Sequence, residues 1–257
     1  FTDYDFEGSG MSALLDVLAY NTHYLGFNAN MLANEMFLDS SSLRSSVVSH
    51  AKTLGYVPTS ARASKATVDV TLNTNDTSAT MPAGTVFNTT VDDVSYQFST
   101  ISDVTKSNTG NTIPFVGVDI YEGSFITTRY TVDSSDVDQR FIITDNRADT
   151  TTLTVKVQTS STDSSSNTFT EATDITQVTT GSNVYFLQEV EAGLFEVYFG
   201  DGIIGTALSD DNIVILTYVV SNKTVANGAS NFDNVSSIAG ITDISVATSA
   251  VASAGSE

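Results

Sequence analysis

Residues 12–38, "SALLDVLAYNTHYLGFNANMLANEMFL", constrain this chain more than any other stretch. Leu14, Leu18, Asn21, Leu25, Asn28 and Leu32 fall at heptad spacing, and Val17, Tyr20, Tyr24, Phe27, Met31 and Leu38 form a second seam. Each seam has the period of a coiled coil. Together they make an apolar stripe wider than one neighbouring helix can cover, so the pattern predicts a helix buried by several partners. Ser9 or Ser12 is the expected cap at its start, and the helix is expected to run to about Leu38. Gly26 weakens it by about 1 kcal/mol relative to Ala and marks a candidate kink.

A second helix is expected next, with Asp39 and Ser40 as N-cap candidates and Leu43, Val47, Ala51 and Leu54 on one face. His50 and Lys52 lie in its last turn, where the helix dipole favours positive charge. Gly55 is the expected C-cap glycine, and Pro58 prevents continuation. Two helices cannot bury this much apolar surface against each other. Either they pack on the segment that follows, or they join helices of other chains; the pattern leaves both open.

From Ala66 the texture changes. "TVDVTL" alternates, with Val68, Val70 and Leu72 on one side. "MPAGTVF", "VSYQFSTI", "FVGVDIY", "RFIITD", "TTLTVKVQ", "NVYFLQEV", "LFEVYFG" and "NIVILTYVV" continue the series, separated by turn signals and by no long helical period. The expectation is an α+β chain: an N-terminal helical arm, residues 1–66, then a mainly antiparallel, β-sandwich-like body, residues 67–243. Residues 118–195 are a candidate separate β subdomain. The uncharged, low-complexity tail, residues 244–257, reads as a linker to a further C-terminal region. Because the chain starts at Phe1, a fragment of a longer protein is expected.

Charge excludes one class of partner. The chain carries 30 acids and 10 bases, a formal net charge of −20. Residues 1–66 hold six of the acids and four of the bases, leaving 24 acids and six bases, or −18, on residues 67–257. Such a surface repels phosphate backbones, so no nucleic acid is expected as a partner. The longest nearly apolar run, "IVILTYVV", is far too short to span a bilayer, and no membrane is expected. With no cysteine, disulfides, thiolate metal sites and cysteine nucleophiles are excluded.

The segment "EVYFGDGIIG" contains G-D-G-I-I-G, a letter-for-letter match to the G-x-G-x-x-G dinucleotide fingerprint. That fingerprint requires a helix at its third glycine to hold a pyrophosphate. Here "TALSDDN" and then a strand follow Gly205, and no acid stands where the ribose would be read. The glycines are expected to serve backbone geometry instead, with Asp201-Gly202 as a type I′ hairpin turn and Gly205 at a bend. His23 and His50 lack metal-ligand spacing, and helix packing or capping is expected of them. Asp92-Asp93 and Asp210-Asp211 read as solvated turns without a D-x-D-x-D-G calcium loop. No G-x-S-x-G elbow is present. No catalytic, cofactor-binding or metal-binding residue is assigned, and no cofactor is expected.

The run from Tyr4 to Ser64 resembles the N-terminal region of the baseplate J-like family, the large baseplate wedge subunit of contractile-tailed phages. The pieces that carry the likeness are "LLDVLAYNTHYLGFNANMLANEMFLDSS", "LRSSVVSHAKTLGYVP" and "ARAS", then "MPAGTVF", "VYFGDGIIG" and "NIVILTYVVSNKTVANGASNF" in the same order. The resemblance implies a structural, non-enzymatic protein of the virion tail baseplate, assembled in the host cytoplasm. It implies that Leu14, Val17, Leu18, Tyr20, Asn21, Tyr24, Leu25, Phe27, Asn28, Met31, Leu32 and Leu38 face a second copy and other wedge subunits, with neighbouring wedges joined in a ring that holds the contractile sheath. Asn21 and Asn28 would set register within the bundle. Phe199, Gly200, Asp201, Gly202 and Gly205 would form a structural turn. Two rival readings are an adhesin-like carbohydrate- or calcium-binding β module and a tail-associated hydrolase with paired carboxylates.

Overall fold

The structure, a computed structural model, describes residues 10–136, 138–234 and 236–256. The chain divides into two compact units, Phe1–Pro58 and Thr59–Glu257. The division falls ahead of the strand that starts at Lys65, so residues 59–66 belong with the β-rich unit rather than the arm.

The first unit holds α1 (Gly10–Glu35) and α2 (Arg44–Thr53). α1 runs without interruption through Gly26 and stops at Glu35, three residues before Leu38. The Ser9 cap candidate lies outside the described residues. α2 closes with a Schellman arrangement: Gly55 N–H donates to the Lys52 carbonyl and Tyr56 N–H to the Ala51 carbonyl, both at 3.0 Å.

The second unit contains β1 (Lys65–Asn73), β2 (Ser78–Met81), β3 (Val86–Val91), β4 (Val94–Ser99), β5 (Val104–Ser107), β6 (Thr112–Glu122), β7 (Ser124–Thr131), β8 (Phe141–Ile143), β9 (Ala148–Gln158), β10 (Asn167–Glu171), β11 (Val184–Glu189), β12 (Phe195–Phe199), β13 (Ile213–Val220), β14 (Asp233–Asn234) and β15 (Ile244–Ser253). They form a six-stranded sheet, ordered β14-β3-β4-β6-β1-β15, a seven-stranded sheet, ordered β7-β13-β9-β10-β11-β12-β8, and the small ribbon β2-β5. Among the described residues the named strands all pair antiparallel except β10 with β11.

The body is therefore not one sandwich with a shared core. Each large sheet closes over a core of its own. In the six-stranded sheet Val68, Val70 and Leu72 are fully buried, as the alternation of β1 predicts, and they join Phe87, Phe98, Phe115 and Ile120. The chain returning from the other sheet lays Ala226, Ala229, Phe232 and Ile238 over this core. Phe232 meets Phe98 edge to face at 4.9 Å, a favoured aromatic geometry. The seven-stranded sheet wraps around Ile143, Val155, Phe195, Val197, Val214 and Leu216. Its two edges approach each other, because the Tyr130 hydroxyl on β7 donates to the Ile142 carbonyl on β8 at 2.6 Å.

Two expectations change here. The segment read as a subdomain, 118–195, does not match the second sheet. Residues up to Glu122 belong to β6, and β12 and β13 extend the second sheet to Val220, because β13 sits between β7 and β9. The tail read as a linker supplies β15, which pairs antiparallel along β1, with Ala252 buried and Arg62 bridged to Ser256. Glu257 lies outside the described residues. A run of small residues without charge looks like a linker by composition. Here its alternate residues Ile244 and Val246 pack against the first core.

The chain passes between the sheets at Gly123, which links β6 to β7. Its φ is +125°, and a Cβ there would stand 2.2 Å from the Val220 carbonyl oxygen at the end of β13. Only glycine tolerates both conditions. Beside it the buried Glu122 carboxylate accepts from the Asn222 backbone N–H at 2.8 Å and side-chain amide at 2.7 Å. Gly123→Ala is expected to destabilise the body by at least about 2 kcal/mol, through strain and backbone collision, as read by urea denaturation. Phe115→Ala, which empties a fully buried site, should cost about 3–5 kcal/mol.

Candidate protein-interaction surface

No residue of α1 is buried. The side chains of both heptad seams stand in solvent: Leu14, Val17, Leu18, Tyr20, Tyr24, Leu25, Phe27, Met31, Leu32 and Leu38 are all exposed, from 43% at Met31 to 69% at Leu25 and Leu32. Asn21 and Asn28 are exposed with them. Leu38 lies in the turn beyond the helix rather than on it. Tyr20 and Tyr24, one turn apart, hold each other with ring centroids at 4.5 Å and a 3.0 Å hydrogen bond between their hydroxyls. Burying a single Leu, Phe or Met is worth about 1.5–3 kcal/mol. A helix of 26 residues that keeps nine of these side chains in water therefore forgoes a large stabilisation that a partner would supply.

The end of this helix is tied to α2 by a device the sequence reading missed. The N-cap of α2 is Leu43, which offers no side-chain cap, and neither Asp39 nor Ser40 takes that role. The Glu35 carboxylate does so from the last turn of α1. It accepts from Ser42 N–H at 3.0 Å, Ser42 Oγ at 2.7 Å and Leu43 N–H at 3.3 Å. These donors, led by the Ser42 backbone and joined by the Ser46 hydroxyl, lower its pKa from 4.5 to about 2. In return His50 Nε2 lies 3.0 Å from the Glu35 carbonyl oxygen, so His50 meets the C-terminal end of α1. No sequence signal marks Glu35, because a cap is ordinarily sought next to the helix it caps.

The glycine-rich segment is a loop between strands that are not neighbours, since β12 pairs with β11 and β8 while β13 pairs with β7 and β9. A type I′ hairpin turn at Asp201-Gly202 is therefore ruled out: Gly202 has φ +87°, but Asp201 is not in the left-handed region. Asp201 instead folds the loop with its side chain, accepting from Ile203 N–H at 2.9 Å and Ile204 N–H at 3.0 Å. These bonds, that from Ile204 foremost, lower its pKa. Gly200 is needed for close approach, because a Cβ there would stand 2.0 Å from the Ile204 carbonyl oxygen. Phe199 anchors the loop at the second core, edge to face with Phe141 at 5.6 Å and with Phe169 at 5.4 Å. The two-residue turn with both φ values positive occurs instead at Asp92-Asp93, between β3 and β4.

Residues 1–56 match the family model of the baseplate wedge protein gp6-like helical domain. Over 96% of its length the chain is 30% identical to baseplate wedge protein gp6 of Enterobacteria phage T4. The chain is thus similar to baseplate wedge proteins. It spans 39% of that relative's length. The matched helical domain contains α1 and α2, so the exposed stripe and the Glu35 clasp both lie inside the wedge-like segment.

Glu35 is ionised in the folded arm down to about pH 2, whereas the free carboxyl titrates near 4.5. Its contribution to the α1–α2 turn is therefore full above pH 4.5 and is lost as pH falls towards 2. Glu35→Gln is expected to lower the helicity of the arm at pH 7, with the difference from wild type shrinking between pH 4.5 and 2, measured by circular dichroism. Gly202→Val should lower the melting temperature, and adding a dinucleotide to wild type should leave it unchanged.

Proposed function

We propose that this chain is a structural, non-enzymatic part of a baseplate wedge subunit in a contractile phage tail. The observation that carries the reading is the exposed two-seam stripe of α1, lying within the segment that matches the gp6-like helical domain. A stripe of this width suits a bundle of more than two helices. We assign its partners as a second copy of the chain and other wedge subunits, with Asn21 and Asn28 setting the register at some cost in stability. The β body, which we place in the baseplate J-like family, gives the arm a stiff base and contributes to the ring of wedges that holds the sheath. Its place is the virion tail baseplate, and its assembly takes place in the host cytoplasm.

Phage tails carrying Leu18→Asp with Leu25→Asp in this chain test the bundle. Each aspartate adds an unpaired charge to an interface that has none. The body should keep its melting temperature within about 2 °C, since both positions are exposed in α1. Recovery of the subunit with its wedge partners should fall at least tenfold. Undiminished co-purification of the double variant would sink the assignment of α1 as the interface.

A further inference from the structure

We infer that the outer face of β7-β13-β9 is a docking surface for an acidic surface of a different wedge protein. This rests on the reading that the chain is built into a baseplate. Arg129 on β7 and Lys156 on β9 both pair with Ile215 on β13, so their side chains project on the same face, one on each side of it. The next row holds Thr127, Thr217 and Thr154, paired in the same way. None of these residues is acidic, although residues 67–257 carry 24 acids and only six bases.

Of those six bases, Arg140 and Arg147 are engaged by acids: Arg140 grips Glu196 through two 2.8 Å bonds, and Arg147 holds Asp145 at 3.0 Å. Arg129 donates instead to the neutral Gln158 amide oxygen at 3.4 Å, which holds the guanidinium along the face. Arg129 and Lys156 stand two strand spacings apart, about 10 Å, close to one Debye length at physiological salt. They repel each other slightly and have no acid between them, within residues 67–257, where there are four acids for every base. Ile215 is only 8% exposed between them. The result is a threonine-rich face with two exposed cations and no acid in these two rows; the next row brings one acid, Asp149 opposite Val219, which is buried and taken up by the Ala63 and Thr151 N–H groups. A surface of opposite sign fits this face, and such pairing governs orientation and partner choice more than raw affinity. A second copy fits poorly, because residues 67–257 carry −18 in each copy and repel overall.

Acetylation of lysines by an amine-reactive ester, followed by mass spectrometry, compares the free chain with purified tails. In tails, Lys156 acetylation should fall at least tenfold, and a zero-length carbodiimide should join Lys156 to an aspartate or glutamate of another polypeptide. The variant Arg129→Glu with Lys156→Glu should melt within about 2 °C of wild type, yet its recovery in tails should fall at least tenfold. Equal acetylation of Lys156 in both states, or a cross-link formed only with another copy of this chain, would overturn the inference. If the chain is missing from purified tails altogether, it is the baseplate reading that fails.

Discussion

The body depends on a backbone crossing. β6 passes the chain to the second sheet at Gly123, and β13 returns it at Val220, and the two backbones touch there with no space for a side chain. Glu122 holds the returning strand through the Asn222 amides, and Ser64 closes the same junction by accepting the Glu122 N–H at its carbonyl. A buried carboxylate is costly unless it is hydrogen-bonded. This one is bonded at both oxygens, which makes the junction specific as well as stable. Everything after β13 relies on it, since residues 226–238 return only from this point to cover the first core.

The arm obeys a different economy. The body encloses its apolar residues in two separate cores, while α1 leaves its own in water. Helices draw most of their stability in proteins from a packed face rather than from propensity. An arm of this composition is therefore a half-built interface, and the likeness of residues 1–56 to a gp6-like helical domain gives that interface a context. Within the arm, the Glu35 clasp ties the two helices together without using the apolar stripe, so the stripe remains available.

Much of this was legible in the residues themselves. The buried side of β1 was readable because side chains alternate strictly along a strand. The glycine closure of α2 was readable because caps act within a few residues. That a strand follows Gly205, where a nucleotide fingerprint requires a helix, was readable from the residues after that glycine. The turn at Asp201 was misread, because a two-residue hairpin presumes that β12 and β13 are neighbours, and they are not. The Glu35 cap was missed because its donors lie seven and eight residues away. No local pattern joins Arg129 and Lys156, since 27 positions of sequence separate two cations that pair with one isoleucine.

By itself the sequence determined the local physics. The helix period, the strand alternation, the glycines and the sign of the charge are all set within short windows of chain. Hence the order of arm then β body, and the acidic character of the body, needed no coordinates. Only the tertiary structure decided that there are two cores and not one, that the small-residue tail is a strand, and that two cations share one row of a sheet face. Each of these depends on which strands become neighbours. That choice is made by long-range packing and backbone fit, such as the contact of Gly123 with Val220, and no local pattern encodes it.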